Sequence, residues 1–151
     1  MGKVYIASRY SRKNEMRHDI APVIRHAGIE VTSRWHDIEE TGSSWEKAQK
    51  EYDVRGEGHI DREHDLLKYY ATIDLEDVDA ADAIVLVSED PTIPHLRGGR
   101  HVEFGYAMGK GKTCYVVGMR ENIFHFIEDV IVCDSVEDFV AKYTKRRDAR
   151  A

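Results

Sequence analysis

Two carboxylates and one basic, hydroxyl-rich turn are the groups in this chain best placed to do chemistry. Glu103 lies in Gly98-Gly99-Arg100-His101-Val102-Glu103-Phe104-Gly105. The stretch follows an apolar run, Ala83-Ile84-Val85-Leu86-Val87, and a loop holding Pro91 and Pro94. It opens a helix-like segment over residues 102–108 that stops near Gly109 and Gly111. The order is buried strand, loop, Gly-Gly turn, helix. In an open parallel sheet, ligands bind beyond the carboxyl end of a strand and at a helix N-terminus. A carboxylate one turn into such a helix has two readings. The helix dipole favours it by roughly 0.3–1 kcal/mol with no further role, or it acts on a ligand in the crevice. A capping box would need Ser or Thr where Arg100 stands. Asp74 also has two readings: N-cap of a short acidic helix, or a second functional carboxylate.

The basic turn is Ser8-Arg9-Tyr10-Ser11-Arg12, between a first strand and its helix. Hydroxyls, two guanidiniums and free helix N–H groups there can hold a phosphate or a 5′-hydroxyl. The plain structural reading is a capped helix with solvated arginines. Gly98-Gly99 alone is a weak phosphate signal, and the chain has neither a P-loop nor G-x-G-x-x-G. Tyr5 and Trp35 are core aromatics, or a floor and wall for a flat ligand. His36, His59, His64, His95 and His101 invite a metal, but no pair has HExxH spacing and neither Cys has a CxxC partner. The expectation is no metal and no cofactor.

The elements around these residues alternate. Lys3-Val4-Tyr5-Ile6-Ala7 reads as the first strand, with Ser11 capping a helix that ends at Gly28 and in which Pro22 predicts a kink or a break. Residues 29–33 form a second strand, and residues 37–61 a long polar segment containing Gly42, Gly56 and Gly58. Residues 63–70 read as a helix and residues 74–81 as a short acidic one. Residues 83–87, 113–117 and 130–133 are strands three to five, and Ser135 caps a last helix with Val136, Phe139, Val140 and Tyr143 inward. Such alternation predicts an α/β, flavodoxin-like, doubly wound five-stranded parallel sheet, order 2-1-3-4-5, with helices on both faces. With 151 residues and no linker-like composition, the expectation is a single domain over residues 1–151.

Composition narrows the class further. The chain is 42% hydrophobic and 33% charged, as in globular domains. Its net charge of −6 argues against a general nucleic-acid binder. No apolar run approaches the roughly 20 residues of a membrane span. The N-terminus runs straight into a strand, so no signal peptide is expected. Cys114 and Cys133 sit in apolar runs and read as reduced, buried thiols of a cytoplasmic protein. The basic cluster Lys142, Lys145, Arg146, Arg147 and Arg150 reads as a helix end suited to the dipole, then a frayed tail.

Taken in order, the pieces resemble the nucleoside 2-deoxyribosyltransferase family and the related nucleotide N-glycosidases. The resemblance runs through Val4-Tyr5-Ile6-Ala7-Ser8, Glu30-Val31-Thr32-Ser33-Arg34-Trp35, Asp74-Leu75-Glu76-Asp77 with Ala81-Asp82, the Gly98–Gly105 stretch, Gly111-Lys112, and Glu121-Asn122-Ile123-Phe124-His125. It implies cleavage of the bond between a base and deoxyribose. Glu103 would attack the anomeric carbon, Asp74 would meet the base and Tyr5 would steady the nucleophile. Ser8, Arg9, Ser11, Arg12, Trp35, Gly98 and Gly99 would line the substrate site. Asn122 and His125 would complete the site of a neighbouring subunit, so a homodimer or larger homo-oligomer is expected. The substrate would be a deoxynucleoside, with transfer to a free base. Hydrolysis of a deoxynucleoside 5′-monophosphate is the alternative, because Ser8–Arg12 is more basic than a nucleoside alone requires. A non-catalytic nucleotide sensor could use the same crevice.

Overall fold

The computed structural model describes residues 2–38, 64–92 and 98–150. The polar segment beyond residue 38, together with His59, Pro94 and His95, lies outside the described residues. Five parallel strands form one sheet: β1 (Lys3–Ala7), β2 (Glu30–Val31), β3 (Ala83–Val87), β4 (Thr113–Val117) and β5 (Ile131–Cys133). Their order is β2-β1-β3-β4-β5, the doubly wound arrangement that the alternation of elements predicts. The helices are α1 (Lys13–Glu15), α2 (Ala21–His26), α3 (His64–Ala80), α4 (Gly99–Gly109) and α5 (Val136–Ala149). Helices α3 and α4 pack together on one face; α2 and α5 pack together on the other.

The strands β1, β3 and β4 are buried almost throughout, as a parallel sheet covered on both sides requires. Register fixes which side chains share a face. Tyr5 pairs with Ile84 and Ile84 with Cys114, so all three point one way. Ile6, Val85 and Tyr115 point the other way. Tyr115 packs edge-on against Phe139 of α5, with ring centroids 4.9 Å apart.

Three local expectations change. Ser11 caps nothing: it lies inside a 3-10 turn, Tyr10–Arg12, entered from Arg9 without a side-chain cap. The following chain runs through α1 and a π-helical segment, Met16–Ile20, before α2. Pro22 stands in the first turn of α2, where its missing N–H costs least; the kink or break expected there is replaced by the π-helical segment just before it, and the helical run stays continuous. Asp74 is not an N-cap, because the two helices read around it are one continuous α3. A mid-helix Asp is poor in propensity terms, which is why the sequence suggested a boundary there. Gly28 and Gly111, at φ 78° and 74°, end α2 and α4 in the left-handed region that favours glycine.

Candidate active site

Tyr5 is the residue from which the site is built. It is mid-strand in β1, and its side chain is fully buried on the α3/α4 face. A buried phenol needs a hydrogen-bond partner. It finds one in Glu103, whose Oε2 accepts from the Tyr5 hydroxyl. Glu103 reaches that position because α4 starts at Gly99 and places it one turn in, beside buried Phe104. Helix α3 packs on both α4 and β1, and it carries Asp74 and Asp77 one turn apart on one face.

The electrostatics follow from this packing. Burial pushes the Glu103 carboxyl up to about 8, and the charge of Asp74 adds to the rise; the Tyr5 hydrogen bond opposes both. Burial likewise pushes Asp74 up to about 7, aided by the charge of Asp77 and opposed by Arg34. Burial and then the charges of Glu103 and Asp74 raise Tyr5 well above its usual value, so its hydroxyl stays a donor. The charge of Asp74 acts on Glu103, so the two carboxyls titrate as a coupled pair. Tyr5 donates to Glu103 and not to Asp74. We therefore favour the charge on Glu103 and the shared proton on Asp74, although the higher midpoint falls on Glu103.

A further set of contacts ties Arg34 to α3 and Trp35 to β1. The buried carboxylate of Asp77 accepts from the backbone N–H of Arg34 at 3.0 Å and forks onto the Arg34 guanidinium at 2.8–3.1 Å. Trp35 donates its indole N–H to the Ile6 carbonyl at 2.8 Å, and its ring lies 6.4 Å from Tyr10. Trp35 is thus buried against β1, in the place expected of a core aromatic beside the site. Ser33 donates to, or accepts from, buried His36 at 2.8 Å, and its oxygen also accepts the Ile6 N–H. Sequence reasoning gave Asp77 and Arg34 no role. The one available signal was the three-residue spacing of Asp74 and Asp77, which puts both on one helix face.

The basic turn divides. Ser8 is buried and donates to the Arg9 carbonyl at 2.9 Å. Arg12 is committed within the fold: it contacts Glu15 at 2.6 Å, Glu89 at 3.1 Å and the Ser88 carbonyl at 3.2 Å. The Arg9 carbonyl accepts from Ser8 and from the Arg12 N–H, but its guanidinium makes no hydrogen bond or ion pair among the described residues. Ser11 is exposed. Gly98 is the N-cap of α4, in extended backbone, and Gly99 its first residue, so the free N–H groups of this helix open beside Glu103.

The segment after β4 is tied to the same helix. Arg100 and Glu121, both buried, pair at 2.5 Å. Asn122 caps a 3-10 turn, Ile123–Phe126, by accepting from the Phe124 N–H, and its amide lies 3.3 Å from His101 Nδ1. His125 is 1% exposed, accepts from the Glu121 N–H and lies against the Phe104 ring. Packing on α4 thus turns the His125 ring into its own chain. Among the described residues no group of His, Cys, Asp or Glu could hold a metal ion, and no helix is long and apolar enough to cross a membrane.

No family model matches the chain, and no curated protein matches it. Among solved structures it is similar to that of Clostridium botulinum CMP N-glycosidase, BcmB, at 16% identity, over 95% of this chain and 98% of that one, with a TM-score of 0.49. A likeness at that level says nothing about the chemistry of the present site.

Both carboxyls bind protons more tightly folded than unfolded, since unfolded carboxyls titrate near 4. The folded state therefore holds extra protons between about pH 4 and 8, and its stability falls as pH rises through that window. Glu103→Gln removes the Glu103 share. Calorimetry is expected to find variant and wild type melting together at pH 4, and the variant melting about 3 °C or more higher at pH 8.5. Equal melting temperatures at every pH would contradict the raised Glu103 value.

Proposed function

We propose that this chain cleaves the N-glycosidic bond of a 2′-deoxynucleoside and transfers the deoxyribosyl group to a second base through a covalent intermediate on Glu103. The observation that carries the reading is the half-buried pair of carboxyls, with Tyr5 donating to Glu103 and Asp74 raised to about 7. The ordered resemblance to the 2-deoxyribosyltransferases points the same way.

The chemistry uses each group once. A Glu103 carboxylate oxygen bonds to the anomeric carbon as the bond from that carbon to the base nitrogen breaks. The leaving base takes the proton that Asp74 holds, a role that needs a carboxyl raised toward neutrality. The Tyr5 hydroxyl orients Glu103 and shares its charge as the intermediate forms and breaks. A second base then attacks the same carbon, Glu103 leaves, and Asp74 recovers the incoming proton. A 2′-deoxy sugar lacks the electron-withdrawing hydroxyl beside the reacting carbon, so its oxocarbenium-like state forms more easily than that of a ribosyl substrate.

Hydrolysis of a deoxynucleoside 5′-monophosphate is the second reading, and uncommitted Arg9 favours it. The engagement of Arg12 with Glu15 and Glu89 counts against a two-arginine phosphate clamp. For this reason we place nucleoside transfer first.

The deciding assay incubates the protein with each deoxynucleoside and each monophosphate, with and without a second free base. Exchanged nucleosides are expected, and Glu103→Ala should lower the rate by about 10³-fold or more while substrate still binds. Free base with deoxyribose 5-phosphate, unaffected by added base, would establish the hydrolase. No base release from any substrate would leave a nucleotide sensor instead.

We also propose that the chain works as a homodimer or larger homo-oligomer. Met119, Ile123, Phe124 and Phe126 follow β4 as an exposed apolar stripe, with Phe126 69% and Ile123 77% exposed. The stripe adjoins Asn122, which stands beside His101 of α4. Light scattering is expected to give a dimer or larger species, and Phe126→Asp to weaken it and reduce activity. A wild type that is monomeric at assay concentration yet fully active would contradict this.

A further inference from the structure

A second pocket lies on the far side of the molecule from Glu103. It is lined by Asp82, Thr113, Tyr115, Tyr143, Arg146, Arg147 and Arg150, with a volume of about 220 Å³. Asp82 and Thr113 stand at the amino ends of β3 and β4, opposite the strand ends where the Ser8 turn and α4 begin. Tyr115 faces α5, while Tyr5 faces α4. Nothing in the proposed reaction uses this pocket.

Its lining includes unused donors. Tyr115 is 1% exposed, yet its hydroxyl makes no hydrogen bond among the described residues. The charges of Arg146 and Arg150 act on that hydroxyl and lower its pKa, although burial raises it more. Arg146 and Arg150, one helical turn apart, make no ion pair among the described residues. Two like charges at that spacing repel rather than stabilise. Arg147 has a loose contact with Asp148 at 3.7 Å. The Thr113 hydroxyl makes no hydrogen bond among the described residues. Asp82, the one carboxylate, is already occupied: Oδ1 accepts from Tyr143 at 2.7 Å and Oδ2 from the Lys3 N–H at 2.8 Å.

Three arginine side chains, two of them exposed, and two hydroxyls without a hydrogen bond among the described residues thus line one small space, in a chain whose net charge is −6. The pocket is smaller than the roughly 300–1,000 Å³ of a drug-sized ligand site. Arginine forks match the oxygens of a tetrahedral oxyanion, and the Tyr115 hydroxyl at the pocket wall adds a donor. We propose that this pocket is a binding site for a phosphate dianion, free or as a small phosphomonoester, separate from the Glu103 site. The reading of the arginines as a dipole-matched helix end accounts for their position on α5 but not for the unpartnered Tyr115 hydroxyl beneath them.

The test titrates the whole chain with inorganic phosphate and, separately, with glycerol phosphate, at fixed ionic strength. Amide NMR spectra locate binding and calorimetry measures it. Saturable shifts are expected at Thr113, Tyr115, Tyr143, Arg146 and Arg150. The double variant Arg146→Ala/Arg150→Ala should weaken binding by about tenfold or more. Tyr115→Phe, which keeps the ring packing, should weaken it by about threefold. Arg9→Ala should leave this binding unchanged. Tighter binding of either probe identifies the source of the phosphate and supports the site. Shifts confined to residues 8–12 and 98–103, affinity that survives loss of both arginines, or no saturable binding of either probe would overturn it. So would single-stranded DNA binding through the same arginines where both phosphate probes fail.

Discussion

The hydrogen bond from Tyr5 to Glu103 is the constraint on which the rest of this structure depends. It joins the middle of a buried strand to a helix that begins beyond the next strand in the sheet. A phenol on β1 with no acceptor would leave a buried donor unsatisfied, at a cost of about 1–3 kcal/mol. A carboxylate at Glu103 with no donor would be worse, because burial already disfavours its charge. Each group makes the other tolerable, and the pair requires α4 to start at Gly99, in register with Tyr5. Helix α3 then brings Asp74 and Asp77 against them, and Arg34 balances part of the added charge. Like charges gathered in a poorly hydrated place make the native state less stable at neutral pH than it would be with amides. Function is the usual reason such an arrangement persists.

Much of the fold was legible because its signals are local and strong. The apolar run 83–87 has no reading other than a buried strand or a short core helix, and its bounding turns decide for a strand. Gly28 and Gly111 mark helix ends because their backbone enters a region that other residues rarely adopt. The alternation of strands and helices then gives the strand order through the handedness of parallel connections. Signals that depend on tertiary partners did not survive so well. Ser11 has the residue type of a cap, but the chain turns in 3-10 geometry before it and leaves its hydroxyl outside. Asp74 looked like a boundary because Asp is poor inside helices; packing on α4 and β1 overrides that preference.

For the site, residue types pointed to Glu103 and Asp74, the resemblance added Tyr5 beside the nucleophile, and the contact itself is seen only in three dimensions. Tyr5 and Glu103 are 98 residues apart, and no periodicity links them. The roles of Arg9 and Arg12 were indistinguishable in sequence. They separate because Glu15, the Ser88 carbonyl and Glu89, just after β3, reach one guanidinium and not the other. His125 shows the same limit from the other side. Its type suits a binding surface, but contact with Phe104 places it in the interior.

The central claim is that Glu103 and Asp74 share one proton near neutral pH and that Tyr5 keeps the charge on Glu103. Carboxyl carbon NMR on selectively labelled protein, followed across pH in wild type and Tyr5→Phe, tests it most directly. The account predicts two coupled steps for the pair, the upper one well above the ordinary carboxylate range, with Asp74 the last to lose its proton. It also predicts that Tyr5→Phe raises the Glu103 midpoint further. Ordinary titration of both carboxyls near pH 4, or a Glu103 midpoint unmoved by loss of the Tyr5 hydroxyl, would contradict it.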